Sequence, residues 1–372
     1  MKSSREVEKV REKAKEREKA KEREKAKERE KAEDRAGVQG RDEAKEAIDA
    51  VITWVDGSDL KHRKKRLQAM NQDTDEIGPV LQSRSDETRF LDNGELRFCI
   101  SSIRRFAPWI RKIFLVTDNQ RPDFLTPSLR NKLNIELVDH ADIFAGYEWA
   151  LPTFNTRTIE TALWRIPGLS DRFIYFNDDF VIIGPVRPED FFNGRKVIIR
   201  GSWNRMKSYR QWHLQVSRLT NYLTKKLLGI TRTMHLLLQM RSAKLAGFSR
   251  KYYRVDHVPH PVYKSVLEGF FEEHGELFDR NIRYRFRDIE QFSAIFLAYH
   301  LKIAKEEAEL VPPDEVMMVH GEMDLPLWLD RKIRRIENSE VRFISLQGIE
   351  KMHKLYRRRL EDVLTDVTGM DF

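Results

Sequence analysis

Short apolar runs separated by polar turns dominate residues 48–184. Ile48-Asp-Ala-Val-Ile-Thr-Trp-Val55, Lys112-Ile-Phe-Leu-Val-Thr117, Ile135-Glu-Leu-Val-Asp139 and Phe173-Ile-Tyr-Phe-Asn-Asp-Asp-Phe-Val-Ile-Ile-Gly184 each read as strands. Helical spacing appears between them. Asn93-Gly-Glu-Leu-Arg97 opens a helix in which Leu96, Ile100, Ile103 and Phe106 share a face, and Pro108 stops it. A short helix is expected over 127–132. A longer one places Ile159, Leu163 and Ile166 inward and ends at Pro167-Gly168. Strands alternating with helices at this spacing predict an α/β fold with a mainly parallel sheet and right-handed crossovers.

The pattern changes elsewhere. Residues 61–90 are polar and predict a loop with one short helix. Over 205–250, Leu214, Leu219, Leu223, Leu227 and Leu228 mix with basic and aromatic residues, which predicts two or three packed helices; a basic amphipathic membrane-docking surface is the alternative. Helices are also expected over 263–273, 288–301 and 348–364. The organisation that follows is a charged arm with linker over 1–40, an α/β core over 41–204, a helical insertion over 205–250, and the remainder of the domain with a closing helix over 251–372.

Charge chiefly alters the reading of the arm. Residues 15–32 repeat Lys-Glu-Arg-Glu-Lys-Ala three times, all good helix formers with opposite charges three and four apart. A six-residue step turns a helix by about 600°, so the alanines spiral instead of forming a seam, and a lone charged helix or spacer is expected before Gly37-Val-Gln-Gly40. The chain carries a net charge of +9 over 372 residues. Acidic residues alternate with the basic ones in the arm, which argues against nucleic acid as a partner. A single cysteine, Cys99, excludes an internal disulfide and a cysteine-based zinc site within one chain; its place on an apolar helix face predicts core packing. The sequence shows no apolar run of membrane-spanning length and no apolar signal segment, so a cytoplasmic protein is expected.

Candidate chemistry gathers at strand ends. Trp54-Val-Asp56, Thr117-Asp118, Asp139-His140 and Asn177-Asp-Asp179 all follow apolar runs, and in a parallel sheet they share the carboxyl edge, where open α/β folds bind ligands. Asp178 and Asp179 repel one another unless a cation or proton intervenes, which points to a metal ion, a sugar or a phosphate-bearing donor. Asp256-His-Val-Pro-His-Pro-Val-Tyr-Lys264 sets His257 and His260 in a loop stiffened by Pro259 and Pro261; zinc ligation, general base catalysis and a structural role all remain open there. Arg283-Tyr-Arg-Phe-Arg287 alternates cations with aromatics and predicts a strand with one cationic face suited to phosphate, or a solvated edge strand.

Together these segments resemble the Stealth family of polysaccharide phosphotransferases. The resemblance lies in Ile48–Asp59, in Arg89-Phe-Leu-Asp-Asn-Gly-Glu-Leu-Arg97 through Asp118, in Leu151-Pro-Thr-Phe-Asn155, Ile166-Pro-Gly-Leu-Ser170 and Tyr175-Phe-Asn-Asp-Asp179, and in His257-Val-Pro-His-Pro with the arginine–aromatic stretch to Gln291. Phe343-Ile-Ser-Leu-Gln-Gly348 departs from the family's closing block by lacking its Asn-Asp pair. The resemblance implies a Rossmann-like (GT-A-like) fold and transfer of a sugar 1-phosphate from a UDP-sugar to a glycan hydroxyl, releasing UMP. It implies His257 as general base, Arg285 as phosphate clamp and Asp179 as the essential acid. Thr53, Trp54, Asp56 and Gly57 would line the nucleotide pocket, Asn93 and Arg97 would lie near the diphosphate, and Asn155 would contact substrate. Asp178 and Asp179 would hold Mg2+ or Mn2+, and no organic cofactor is expected. Peripheral contact with the inner face of the membrane is a further expectation. The rival readings are a conventional glycosyltransferase, and a non-enzymatic protein that binds nucleic acid or a membrane surface.

Overall fold

The computed structural model describes residues 47–72, 94–206 and 232–370. The arm and linker, residues 73–93 (Asn93 among them) and about half of the 205–250 insertion lie outside the described residues.

Strands β1 (Ile48–Thr53), β2 (Ile113–Thr117), β3 (Ile135–Asp139) and β4 (Arg172–Asn177) form the expected parallel sheet in the order β3-β2-β1-β4. All six residues of β1 are buried, as a central strand covered on both faces requires. Side chains alternate between two cores. Val51, Phe114, Val116, Phe173 and Tyr175 enter one, with Ile159, Phe296 and Tyr299 from the helices above. Ala50, Ile52, Leu115, Ile174 and Phe176 enter the other, against Leu96, Cys99, Ile100 and Ile103 of the helix Glu95–Phe106. Cys99 is fully buried there, as its spacing predicts.

Register levels the strand ends. Thr53 pairs with Val116 and with Asn177, and Thr117 pairs with Asp139. The four polar strand ends therefore share one edge. At the opposite end the Asp49 carboxylate, completely buried, accepts from Arg111 Nε at 2.8 Å and Nη2 at 2.6 Å and from the Ser170 amide at 2.8 Å. Removing the part-exposed Arg111 would strand the buried Asp49 charge. Arg111→Ala should therefore cost about 3 kcal/mol of stability, read as a lower urea midpoint with unchanged slope; an unshifted midpoint would contradict it.

After Asp178-Asp179 the chain enters β5 (Phe180–Ile182) and then β6 (Phe192–Asn193) and β7 (Lys196–Arg205). A second, unpredicted sheet follows. β7 pairs first with β10 (Ala308–Val311) in parallel and then with β8 (Lys251–Val255) antiparallel. Gly201 sits at the changeover, where a Cβ would strike the Arg254 carbonyl and the Tyr253 ring. β9 (His260–Tyr263) closes the main sheet as an antiparallel edge beside β4. This corrects the loop expected at His257–Pro261: only its first half is a loop. Pro261 lacks an N–H, which an edge strand tolerates. A third sheet, of β11 (Val316–His320), β12 (Phe343–Gln347) and β5, lies behind the carboxylate pair.

Helix Lys264–Glu273 matches its expected range within one residue, Ala294–Ala304 and Lys354–Thr368 each begin six residues later than expected, and Gly275–Ile282 is an additional helix. The expected strand at Arg283–Arg287 is absent. That stretch is an irregular loop, because its hydrogen bonds go to the helix Thr156–Ala162 and not to a neighbouring strand.

Candidate active site

The end of β4 builds the site. Tyr175 is buried and its hydroxyl meets Thr53 Oγ1 at 3.1 Å, Asn177 Oδ1 at 2.6 Å and Glu160 Oε1 at 3.3 Å. Thr53 thus turns inward and fixes this chain of contacts. Asn177, with its oxygen toward Tyr175, directs its amide nitrogen to His257 Nε2 at 3.5 Å. The same Nε2 lies 3.4 Å from Asp179 Oδ2. Neutral His257 can accept from Asn177, and protonated His257 is offset by Asp179, so either proton state of the ring has a partner. Phe180 packs edge-on against the imidazole at 4.5 Å. The Asp179 carbonyl accepts from the Leu346 amide at 2.9 Å, so β12, in the divergent closing block, braces the carboxylate's backbone from behind.

His260 parts company with His257. It is buried in β9 with Nδ1 3.2 Å from the Tyr299 hydroxyl, and burial pushes its pKa well down. It is a core residue.

The arginine loop is held by buried amides. Asn155 caps the helix Thr156–Ala162 by accepting from the Arg157 amide, and its own nitrogen donates to the carbonyls of Tyr284 and Phe286 and to Gln291 Oε1. The Arg285 carbonyl receives the Phe154 amide at 2.8 Å. Asn155, fully buried, is spent on positioning this loop. Arg285 is half-buried, and its guanidinium has no protein partner among the described residues. Arg287 donates to Thr156 Oγ1 at 3.3 Å, and Arg157 to the Asp288 carbonyl at 2.9 Å. Both act electrostatically on Glu160, whose carboxyl burial pushes upward while Ser293 Oγ donates to it. Glu160, Arg157 and His235 were not singled out by the sequence. Arg287 was read there as the third member of the arginine alternation.

Two cavities flank the β1 exit. Trp54 and Asp56 line one of about 260 Å³, with Gly94, Arg97, Arg121 and Asp123. Val55 lines the other, of about 70 Å³, with Thr153, Phe154, Asn155 and Arg287. Each has a buried polar atom lacking a hydrogen-bond partner, Trp54 Nε1 and Thr153 Oγ1, of the kind a ligand would satisfy. The Asp56 carboxylate accepts from the Ser58 amide and hydroxyl, and its backbone is paired with Gln120. Gly57 is buried in the same turn.

Among the described residues no three His, Cys, Asp or Glu side chains gather as a metal site. Asp179 Oδ1 is buried without a partner, and Asp178 adjoins it. Two carboxylates fit Mg2+ or Mn2+ only when donor phosphates and water complete the shell.

Burial lowers several histidines, among them His140 to about 4, His300 to about 4, and His235 to about 3 with help from nearby cations. His300 shows why. Its Nδ1 donates to the Phe296 carbonyl at 2.7 Å while Nε2 accepts from the Tyr253 amide at 3.1 Å, so a second proton would expel a buried donor. With folded values below 6.5, the neutral forms stabilise the fold above pH 6.5, and that stability is lost as pH falls toward 4. Urea unfolding should show a loss of at least about 2 kcal/mol between pH 7 and 4.5; a flat profile would contradict this.

Comparison with known proteins agrees with the blocks read from the sequence. The model of Stealth protein conserved region 1 matches residues 46–74, and that of conserved region 2 matches 89–199. The chain is 30% identical over 259 residues to the receptor polysaccharide phosphotransferase WefC of Streptococcus gordonii, covering 65% of this chain and 74% of that one. It is 41% identical over 155 residues to the capsular polysaccharide phosphotransferase cps1A of Actinobacillus pleuropneumoniae, covering 40% and 39% respectively. Among solved structures, the galactosyltransferase LgtC overlaps 86% of this chain and 95% of its own, at 11% identity and a TM-score of 0.38, too low a score to support inference.

Proposed function

The chain belongs to the Stealth family, and from that premise we propose that it transfers hexose 1-phosphate from a UDP-sugar to a glycan hydroxyl, releasing UMP, in capsular or cell-surface polysaccharide synthesis. The observation that carries the reading is His257 Nε2 at 3.4 Å from Asp179 Oδ2, at the end of β4 where Asn177 pairs with Thr53 of β1. The acceptor oxygen attacks the phosphorus bonded to the sugar, the bond from that phosphorus to the UMP oxygen breaks, and His257 takes the acceptor's proton. Asp179 offsets the imidazolium. Such a step depends on positioning and charge stabilisation. Arg285 and Arg287 supply cations for the phosphoryl oxygens, and Asp178 and Asp179 would hold Mg2+ or Mn2+ shared with the donor diphosphate. When bound, that ion supplies charge neutralisation. Trp54, Asp56 and Arg97 support donor binding in the larger cavity, with Thr53 and Asn155 acting behind the surface.

A cytoplasmic enzyme in peripheral contact with the inner face of the membrane completes the proposal. No helix among the described residues is long and apolar enough to cross a membrane. Leu325, Leu327 and Trp328 are 65%, 80% and 56% exposed and support a surface contact. The test is incubation with a panel of UDP-sugars and glycan acceptors while separating the nucleotides. UMP release dependent on acceptor is expected; UDP release would identify a glycosyltransferase, and no acceptor-dependent release would reject both.

A further inference from the structure

The helix Arg232–Leu245 brings to the site an imidazole that no motif marks. Its Gln239 is locked to the backbone of β8: Oε1 accepts from the Val255 amide at 2.8 Å, and Nε2 donates to the Val255 carbonyl at 2.9 Å. A backbone N–H can only donate, so the amide orientation is fixed. The second hydrogen of Gln239 Nε2 then points to His235 Nε2 at 2.8 Å. That ring nitrogen must accept, which places the proton of His235 on Nδ1. Among the described residues Nδ1 has no hydrogen-bond partner.

The ring stands perpendicular to His257 with centroids 6.3 Å apart, braced edge-on by Phe296 at 5.4 Å. Arg157, Arg254 and Arg287 are close enough to act on it electrostatically. An unpaired N–H beside His257 and within the field of three arginines suits an anion.

We propose that His235 is a second functional imidazole of the site, a neutral ring locked by Gln239 as an Nδ1–H donor to a phosphoryl oxygen of the substrate. The proposal rests on the sugar-phosphate reading for its ligand. A fixed neutral donor strengthens its hydrogen bond as charge builds on phosphoryl oxygen, and it adds no positive charge beside His257 when that ring takes up a proton. The insertion would thereby take part in the chemistry.

The test has two arms on the full chain. Long-range proton–nitrogen spectra should show His235 protonated on Nδ1 and bare on Nε2, with the Nδ1–H signal moving as UMP is added. The signal is assigned by its loss in His235→Asn. Rates should then fall about 100-fold in kcat for His235→Ala, with KM within about threefold. His235→Asn, whose amide N–H lies near the lost donor, should retain at least about tenfold more activity than the alanine variant. An Nε2-protonated ring, a signal indifferent to UMP, or equal losses in both variants would overturn the proposal. The tautomer is read without turnover, so a wild type that releases UDP would reject the sugar-phosphate reading while leaving the ring assignment intact. If the alanine variant fails to fold by circular dichroism, the asparagine variant and the UMP shift decide.

Discussion

His257→Ala is expected to lower kcat by about 10³-fold, the range lost with a positioned general base, and to leave the fold intact. The ring contributes one nitrogen, held between Asn177 and Asp179 at 3.5 and 3.4 Å. Neither His260 nor His235 is placed to take over. His260 faces Tyr299 in the core, and His235 has its basic nitrogen occupied by Gln239. A loss of about 10³ corresponds to about 4 kcal/mol of transition-state stabilisation. The loss should fall on kcat and kcat/KM alike, since proton removal matters only as the new bond forms. Stability should change little, because His257 is 21% exposed and its ring contacts are the edges of Phe180 and His235. Steady-state rates with a circular dichroism melt check both points. A variant within tenfold of wild type would remove His257 from the base role.

Asp179→Asn is expected to cost at least as much, on the order of 10³- to 10⁴-fold. The exchange keeps the volume and the backbone bond from Leu346 to the Asp179 carbonyl, so the fold should persist. It removes the negative charge that offsets a protonated His257. It also replaces an oxygen, in a buried position where Oδ1 has no partner, that would face the cation. Added Mg2+ or Mn2+ separates the two roles. If Asp179 serves mainly the ion, the variant's rate should rise steeply with metal concentration and the wild type should lose activity in chelator. If it serves mainly His257, neither should happen. Activity of the variant within tenfold of wild type would contradict both.

The strands and the helix Glu95–Phe106 were legible because apolar spacing alone specifies them. Ala50 and Ile52 must face one core while Val51 faces the other, and that alternation is written in the residues. The common edge was also legible, since parallel order follows from strand–helix alternation. Other features depend on partners distant in the chain. Alternation at Arg283–Arg287 imitates a strand, but Asn155, about 130 residues earlier, takes the carbonyls a strand partner would need. Two prolines concealed β9, although an edge strand accepts them. Glu160 and His235 lie on helices with no motif around them. Each is brought to the site by tertiary contacts, through Ser293 and Tyr175 in one case and through Gln239 and Val255 in the other. The absence of an Asn-Asp pair after Phe343–Gln347 left the closing block without an assigned role, yet its strand braces Asp179 through main-chain atoms that any residue supplies.

The central claim is that the bond broken lies between the two phosphorus atoms' shared oxygen and the phosphorus nearer the sugar, not at the anomeric carbon. A UDP-sugar carrying radioactive phosphorus only in the sugar-proximal phosphate tests this most directly. After incubation with acceptor, the label should move into the glycan as a phosphodiester and unlabelled UMP should accumulate. Label retained in free UDP, with an unphosphorylated sugar joined to the glycan, would contradict the account.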